Sequence, residues 1–154
     1  MKRTILVTGA SKGIGCAIAK RLARDGFAVV VHYGRDGVGA EATLTAIRED
    51  SGEGRLLTFD AADRAACRAA LEADIGAHGT YYGVVLNAGI VRDNAFPAMS
   101  DEDWDAVLDT NLDGFYNVLK PLIMPIVSAR CGGRGRCRSR HVRSPGVYII
   151  TASE

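Results

Sequence analysis

Thr8-Gly9-Ala10-Ser11-Lys12-Gly13-Ile14-Gly15 stands between a short apolar run, residues 4–8, and the start of a helical pattern. Glycines at 9, 13 and 15 let the backbone turn sharply and approach a pyrophosphate, and the helix start beyond them offers unpaired N–H groups and a positive dipole end. That chemistry is the cradling of a dinucleotide's phosphates, and the placement between strand and helix separates it from a chance glycine pattern. The alternative is an ordinary strand-turn-helix corner. A second set of candidates follows the next apolar run. Dinucleotide sites distinguish a ribose 2′-hydroxyl from a 2′-phosphate by an acid or an arginine about 20 residues past the glycines. Here His32-Tyr33-Gly34-Arg35-Asp36 puts no acid at the strand tip, and Arg35 with Lys12 favours NADP(H). Asp36 is the competing charge, and the alternative for both cations is a solvated surface.

Other candidates are polar residues at the ends of apolar runs: Asp60 after 56–59, and Asn87-Ala88-Gly89 after 83–86. Asp60 and Asn87 also suit Asx caps at strand ends. Trp104, Val107, Leu108 and Asn111 recur at helical spacing, which sets an amide on an apolar helix face. A buried amide needs hydrogen-bond partners or a bound water. Tyr116 and Lys120 share a helix face at i, i+4, a spacing that arises readily by chance.

Those residues need a frame. Apolar runs alternate with helical patterns, as in βαβ units whose parallel sheet is covered on both faces. Strands are expected over 4–8, 28–33, 56–59, 83–86 and 147–151. Ile14, Ile18 and Leu22 mark the apolar stripe of a first helix that Gly26 ends. Ala40, Leu44 and Ile47 pattern a second over 40–50, and Asp63 can cap a third carrying Ala66, Cys67, Ala70, Leu71 and Ile75. Ser100-x-x-Asp103 opens the longest helical stretch like a capping box, and Pro121 and Pro125 complicate its far end. The expected fold is α/β, a doubly wound parallel Rossmann sheet with helices on both faces, one domain over 1–154 whose C-terminal strands are missing.

At 154 residues and 47% hydrophobic, the chain suits one domain with a real core. Its apolar runs are too short to span a membrane, and Met1-Lys2-Arg3 leads into a strand with no secretory leader, so a cytoplasmic location is expected. Cys16, Cys67, Cys131 and Cys137 show no disulfide-framework spacing, and reduced thiols are expected.

Thr8-Gly-x-x-x-Gly-x-Gly15, Asp60, Asn87-Ala88-Gly89 and Asn111 occur in the order seen in short-chain dehydrogenases/reductases, which the sequence resembles over residues 1 to about 130. Asn87-Ala88-Gly89-Ile90-x-Arg92-Asp93-Asn94, Asp103-Trp104-Asp105-Ala106-Val107 and Asn111-Leu112-Asp113-Gly114-Phe115 look more narrowly like the 3-oxoacyl-[acyl-carrier-protein] reductases of that family. Leu86 stands where the family has a further asparagine. The resemblance implies NADPH-dependent reduction of a 3-oxoacyl thioester, carried on acyl-carrier protein or similar, in fatty-acid-type biosynthesis. It implies a homo-oligomer, and cofactor contacts from Gly9, Ser11, Lys12, Gly13, Ile14, Gly15, Arg35, Asp60, Ala61, Asn87, Ala88 and Gly89. Asn111 would distort its helix and hold a water of the proton relay.

In that family a serine holds the substrate carbonyl, a tyrosine donates the proton, and a lysine lowers the tyrosine's pKa. Aligning the apolar residues of 146–153 puts Ser153 in the serine's place. The family's Tyr-x-x-x-Lys should follow and does not, so the chain is expected to be catalytically incomplete. Tyr116 and Lys120 come before the fifth strand, where the family does not place that pair. From Cys131 the composition changes, with six arginines and no acid between Arg130 and Arg143. The stretch over 131–145 reads as an inserted basic loop or as a segment translated out of frame. Cys131, Cys137 and His141 depart from zinc spacing, and no metal is expected. The rival readings are a non-catalytic nucleotide-binding fragment and a nucleic-acid binder acting through those arginines. The last is the weaker, because no aromatics interleave them.

Overall fold

The computed structural model describes residues 2–130 and the backbone of 146–149. The apolar runs become strands: β1 (Thr4–Val7), β2 (Ala28–Tyr33), β3 (Glu53–Thr58), β4 (Gly83–Leu86) and β5 (Gly146–Ile149). All neighbours are parallel in the order β3-β2-β1-β4-β5, so the winding reverses between β1 and β4. Helices α1 (Gly13–Arg24), α2 (Gly37–Glu49), α3 (Arg64–His78), α4 (Asp101–Leu108) and α5 (Gly114–Arg130) connect them. This is the doubly wound sheet that the alternating patterns predict.

Side-chain alternation along each strand divides the core. Ile5, Val7, Val29, Val31 and Val85 pack with Ala19 and Ala23 of α1 and Ala40 and Ile47 of α2. Leu6, Val30 and Val84 pack on the other face with Leu71 of α3 and Val118, Leu122 and Ile126 of α5. Each fully buried aliphatic side chain of this size contributes about 1.5–3 kcal/mol. Among the described residues no helix is long and apolar enough to cross a membrane.

Several elements depart from expectation. The buried face of α1 is Gly15, Ala19 and Ala23, whereas Ile14 is 43% exposed and Ile18 and Leu22 lie at the flanks. Small residues let α1 approach the sheet closely, which displaces the larger ones sideways. α2 starts at Gly37 because Asp36 accepts the Gly39 N–H at 2.9 Å and caps it. β3 starts at Glu53, ahead of its apolar run, through pairing with β2 from Ala28 onward. The capping box at α4 is half formed: Ser100 Oγ accepts the Asp103 N–H at 3.1 Å, but the Asp103 carboxylate turns to Arg92 and Asn94, each at 3.3 Å. Pro121 and Pro125 lie inside α5, which continues to Arg130.

Arg55, Asp74 and Tyr81 join β3, α3 and the start of β4. Arg55 donates to both Asp74 carboxylate oxygens at 2.8 and 2.6 Å, and the Tyr81 hydroxyl donates to the same carboxylate. Burial would push the Asp74 carboxyl up, but these donors outweigh it and hold it below its ordinary range. Thr151, Ser153, Cys131, Cys137, His141 and the arginine-rich stretch 131–145 lie outside the described residues.

Candidate functional site

Thr8 and Asn87 follow the carboxyl ends of β1 and β4, where the winding reverses. The buried Thr8 hydroxyl accepts the N–H groups of Asn87 at 2.9 Å and Ala88 at 3.0 Å, and donates to the Val85 carbonyl at 3.3 Å. Asn87 returns the link, its Nδ2 donating to the carbonyls of Thr8 and Gly9, both at 3.2 Å. The two loops are held in fixed register. Gly9 has φ +64°, the left-handed region that favours glycine, and a Cβ on Gly15 would collide with the Gly9 carbonyl and the Asn87 amide.

α1 begins with Lys12 at its N-cap, without a side-chain cap and without an acid in its first turn. α2, α3 and α4 are capped by Asp36, Asp63 and Ser100. The first N–H groups of α1 therefore retain capacity for an anion. Two adjoining clefts open over them. One, of about 530 Å³, is lined by Ser11, Lys12, Gly13 and Ile14 on one side and by Asn87 through Arg92 on the other. The second, of about 480 Å³, runs past His32, Arg35, Asp60 and Ala61. Gly9, Ser11, Ala88 and Gly89 line both, which makes one groove across the switch point.

Lys12 and Arg35 both line this groove, Lys12 in the first cleft and Arg35 in the second. Asp60 sits at the groove wall, its Oδ1 accepting the Ala62 N–H at 3.0 Å in an Asx turn. The apolar face expected around Asn111 is not buried: Trp104 and Leu108 are 49% and 39% exposed. Asn111 instead lies in a π-helical turn over Asp109–Asp113 between α4 and α5. Its amide pairs with the Ile90 backbone, Oδ1 accepting the N–H at 2.8 Å and Nδ2 donating to the carbonyl at 2.9 Å. It also lines a small apolar cavity of about 160 Å³ with Leu86, Phe115 and Val118. The Tyr116 ring lies under Arg64 at 5.2 Å and near Lys120 at 5.6 Å, and neither Tyr116 nor Lys120 lines the groove.

Among the described residues, Asn87 Oδ1 is the buried side-chain oxygen without a hydrogen-bond partner. An orphaned acceptor, bare glycine backbone and an uncapped helix start fit a ligand that brings hydroxyl donors and anionic phosphates together. The family model for short chain dehydrogenases matches residues 3–134. The chain belongs to the short-chain dehydrogenase family. It is similar to the 3-oxoacyl-[acyl-carrier-protein] reductase FabG of Aggregatibacter actinomycetemcomitans, 57% identical over 137 residues, 89% of this chain and 57% of that protein. The reductase of the same name from Staphylococcus aureus strain Mu50 is 35% identical over 132 residues, 86% of this chain and 54% of that one. The chain thus spans about half the length of the curated relatives it matches. Among solved structures it resembles a gluconate 5-dehydrogenase from Burkholderia cenocepacia J2315 in complex with NADP and tartrate. That likeness has TM-score 0.76 and 31% identity, over 84% of this chain and 51% of that chain.

Two residues of this short-chain dehydrogenase groove were not singled out by sequence reasoning. Arg92 lines both clefts and is held by Asp103 at 3.3 Å. His32 is the penultimate residue of β2, with its ring placed between Gly9 and Phe59. The available signal was a titratable residue near the end of an otherwise apolar central strand. Burial pushes its pKa down to about 4, against the Phe59 carbonyl and the Asp60 charge, which favour the protonated ring.

Proposed function

We propose that this chain binds NADP(H) across the switch-point groove and is the cofactor-holding part of an enzyme that reduces a 3-oxoacyl thioester on acyl-carrier protein or a similar carrier. The observation that carries the cofactor choice is the role of Asp36. Arg35 and Asp36 both line the cleft wall, but the Asp36 carboxylate accepts the Gly39 N–H at 2.9 Å as the cap of α2, which commits one of its oxygens to the helix start. An arginine at this strand tip accommodates a 2′-phosphate, and an acid available there would favour the 2′-hydroxyl. A relative solved with NADP supports the cofactor, and the relative at 57% identity, a 3-oxoacyl-[acyl-carrier-protein] reductase, supports the substrate class.

The bound nicotinamide would supply hydride. In this reading Gly9, Ser11, Lys12, Gly13, Ile14 and Gly15 hold the phosphates, and Asp60 and Ala61 border the adenosine half. Asn87, Ala88 and Gly89 border the nicotinamide half, and Asn111 orders the adjoining loop through Ile90. Proton transfer needs a positioned acid, which typically contributes ~10²–10⁴-fold. Among the described residues no Tyr-x-x-x-Lys pair lines the groove, so this part holds the cofactor without completing proton transfer.

Titrating the chain with NADPH and NADH, read by reduced-nicotinamide fluorescence, tests the assignment. A charge-assisted contact to the 2′-phosphate contributes about 1.5–3 kcal/mol, so NADPH should bind at least about tenfold more tightly and Arg35→Ser should erase the difference. Equal affinities in the wild-type chain would overturn the reading. A 3-oxoacyl thioester added to the NADPH complex should leave the absorbance steady. Turnover that disappears in Tyr116→Phe would show that the Tyr116–Lys120 pair reaches the site after all.

A further inference from the structure

His32 is the penultimate residue of β2, the strand between β3 and β1, and only 2% of its surface is exposed. Its ring nitrogens make two different bonds. The Gly9 N–H points at Nδ1 across 3.2 Å, so Nδ1 is the acceptor and carries no proton. The neutral ring must then hold its proton on Nε2, which donates to the Phe59 carbonyl at 3.1 Å. The ring also lies over that of Phe59, with centroids 3.9 Å apart. The backbone carbonyl of the same residue accepts the Ala10 N–H at 2.9 Å. One residue of β2 therefore holds two successive N–H groups of the glycine loop and the last residue before Asp60.

Gly9 is tied from both sides of β1. Its N–H goes to His32, and its carbonyl receives Asn87 Nδ2 at 3.2 Å from beyond β4. The orientation of this residue sets where the following loop amides point. An aliphatic side chain at 32 would leave the Gly9 N–H and the Phe59 carbonyl without these partners. A protonated imidazole would set a second donor against the Gly9 N–H. The depressed pKa of the ring keeps the neutral form at ordinary pH.

We propose that His32 is a positioning residue of the dinucleotide site. As a neutral ring, held in its Nε2-protonated tautomer by the Phe59 carbonyl just past β3, it presents a bare Nδ1 to the Gly9 N–H and so fixes the aim of the phosphate loop. The proposal rests on the nucleotide-binding reading above.

Two measurements decide it. Long-range proton–nitrogen correlation on histidine-labelled wild-type chain at pH 7, with no ligand added, should show a protonated Nε2 and a bare Nδ1 for His32. The opposite tautomer, or an imidazolium, overturns the proposal, and this readout needs no variant to fold. The second measurement is the affinity for NADPH and for 2′,5′-ADP, which carries the adenosine half alone. Asparagine can place an acceptor near the position of Nδ1, whereas glutamine can place a donor near that of Nε2. His32→Asn should therefore keep the Gly9 tie and bind both probes within about threefold of wild type. His32→Gln and His32→Leu should bind both about five- to tenfold more weakly, the worth of one lost hydrogen bond. A purely structural role predicts equal losses for Asn and Gln, and that equality overturns the proposal. Wild-type affinity in the leucine variant overturns it while leaving nucleotide binding intact, whereas a wild-type chain that binds neither probe overturns both readings.

Discussion

At the entry end of the strands, Arg55, Asp74 and Tyr81 direct their polar groups at one another, and Lys2 pairs with Glu53 at 2.9 Å. At the carboxyl end, Thr8, Asn87, Gly9 and His32 are just as densely bonded, yet that end holds the orphaned Asn87 oxygen and the uncapped start of α1. Both ends bury polar atoms, and the difference lies in whether the bonds close on themselves. A closed network ties elements together. A network with capacity left over holds a shape ready for something else, which is what separates a binding end from a structural one.

The largest test of that contrast is Asp74→Ala. It leaves the Arg55 guanidinium and the buried Tyr81 hydroxyl without their acceptor, and should lower unfolding free energy by about 4 kcal/mol in urea titrations. The folded fraction should still bind NADPH normally. A loss of binding as large as the loss of stability would erase the distinction between the two ends.

Acid acts at the other end. The ordinary histidine value of 6.5 falls to about 4 for His32, chiefly through burial, with the Phe59 carbonyl and the Asp60 charge opposing. Above pH 6.5 neither folded nor unfolded chain protonates it, so its full contribution is present. Between 6.5 and about 4 only the unfolded chain takes the proton, and stability falls with pH. Below about 4 both states are protonated and the loss levels off. The stability advantage of wild type over His32→Asn should shrink by about 3 kcal/mol across that window, isolating the imidazole from carboxylates titrating nearby. A constant difference from pH 7 to pH 4 would mean that the ring is already charged or solvated.

A smaller effect sharpens the comparison at the groove itself. Gly15→Ala sets a methyl against the Gly9 carbonyl and the Asn87 amide, and overpacking of this kind costs about 2 kcal/mol. If that strain falls on the phosphate loop, NADPH affinity should drop roughly thirtyfold while the urea midpoint moves little. A stability loss with unchanged affinity would place Gly15 with the structural end instead.

Much of this molecule is legible without coordinates, and the reason is periodicity. β2 and β4 keep their expected bounds because continuous β-branched runs between turn residues have few alternatives as central strands. Asp63 and Ser100 cap α3 and α4 as their positions predict, since capping is a local bond between neighbours in the chain. The glycine loop is legible for the same reason: its residue types and its place between strand and helix are local facts. What the sequence could not reveal depends on residues distant in the chain. The close approach of α1 selects Ala19 and Ala23 over the larger Ile14, and only the packed sheet decides that. Asn111 finds its partner in the Ile90 backbone, not in a core face, because α4 lies open to solvent where periodicity predicts burial. Arg55 and Asp74 stand 19 residues apart in the chain and meet only when α3 packs beside β3, and the two nitrogens of His32 find Gly9 and Phe59 only across the sheet. Local chemistry determined the elements and the loop; tertiary contact alone decided which polar groups are satisfied, because a hydrogen bond across the sheet leaves no spacing in the chain to read.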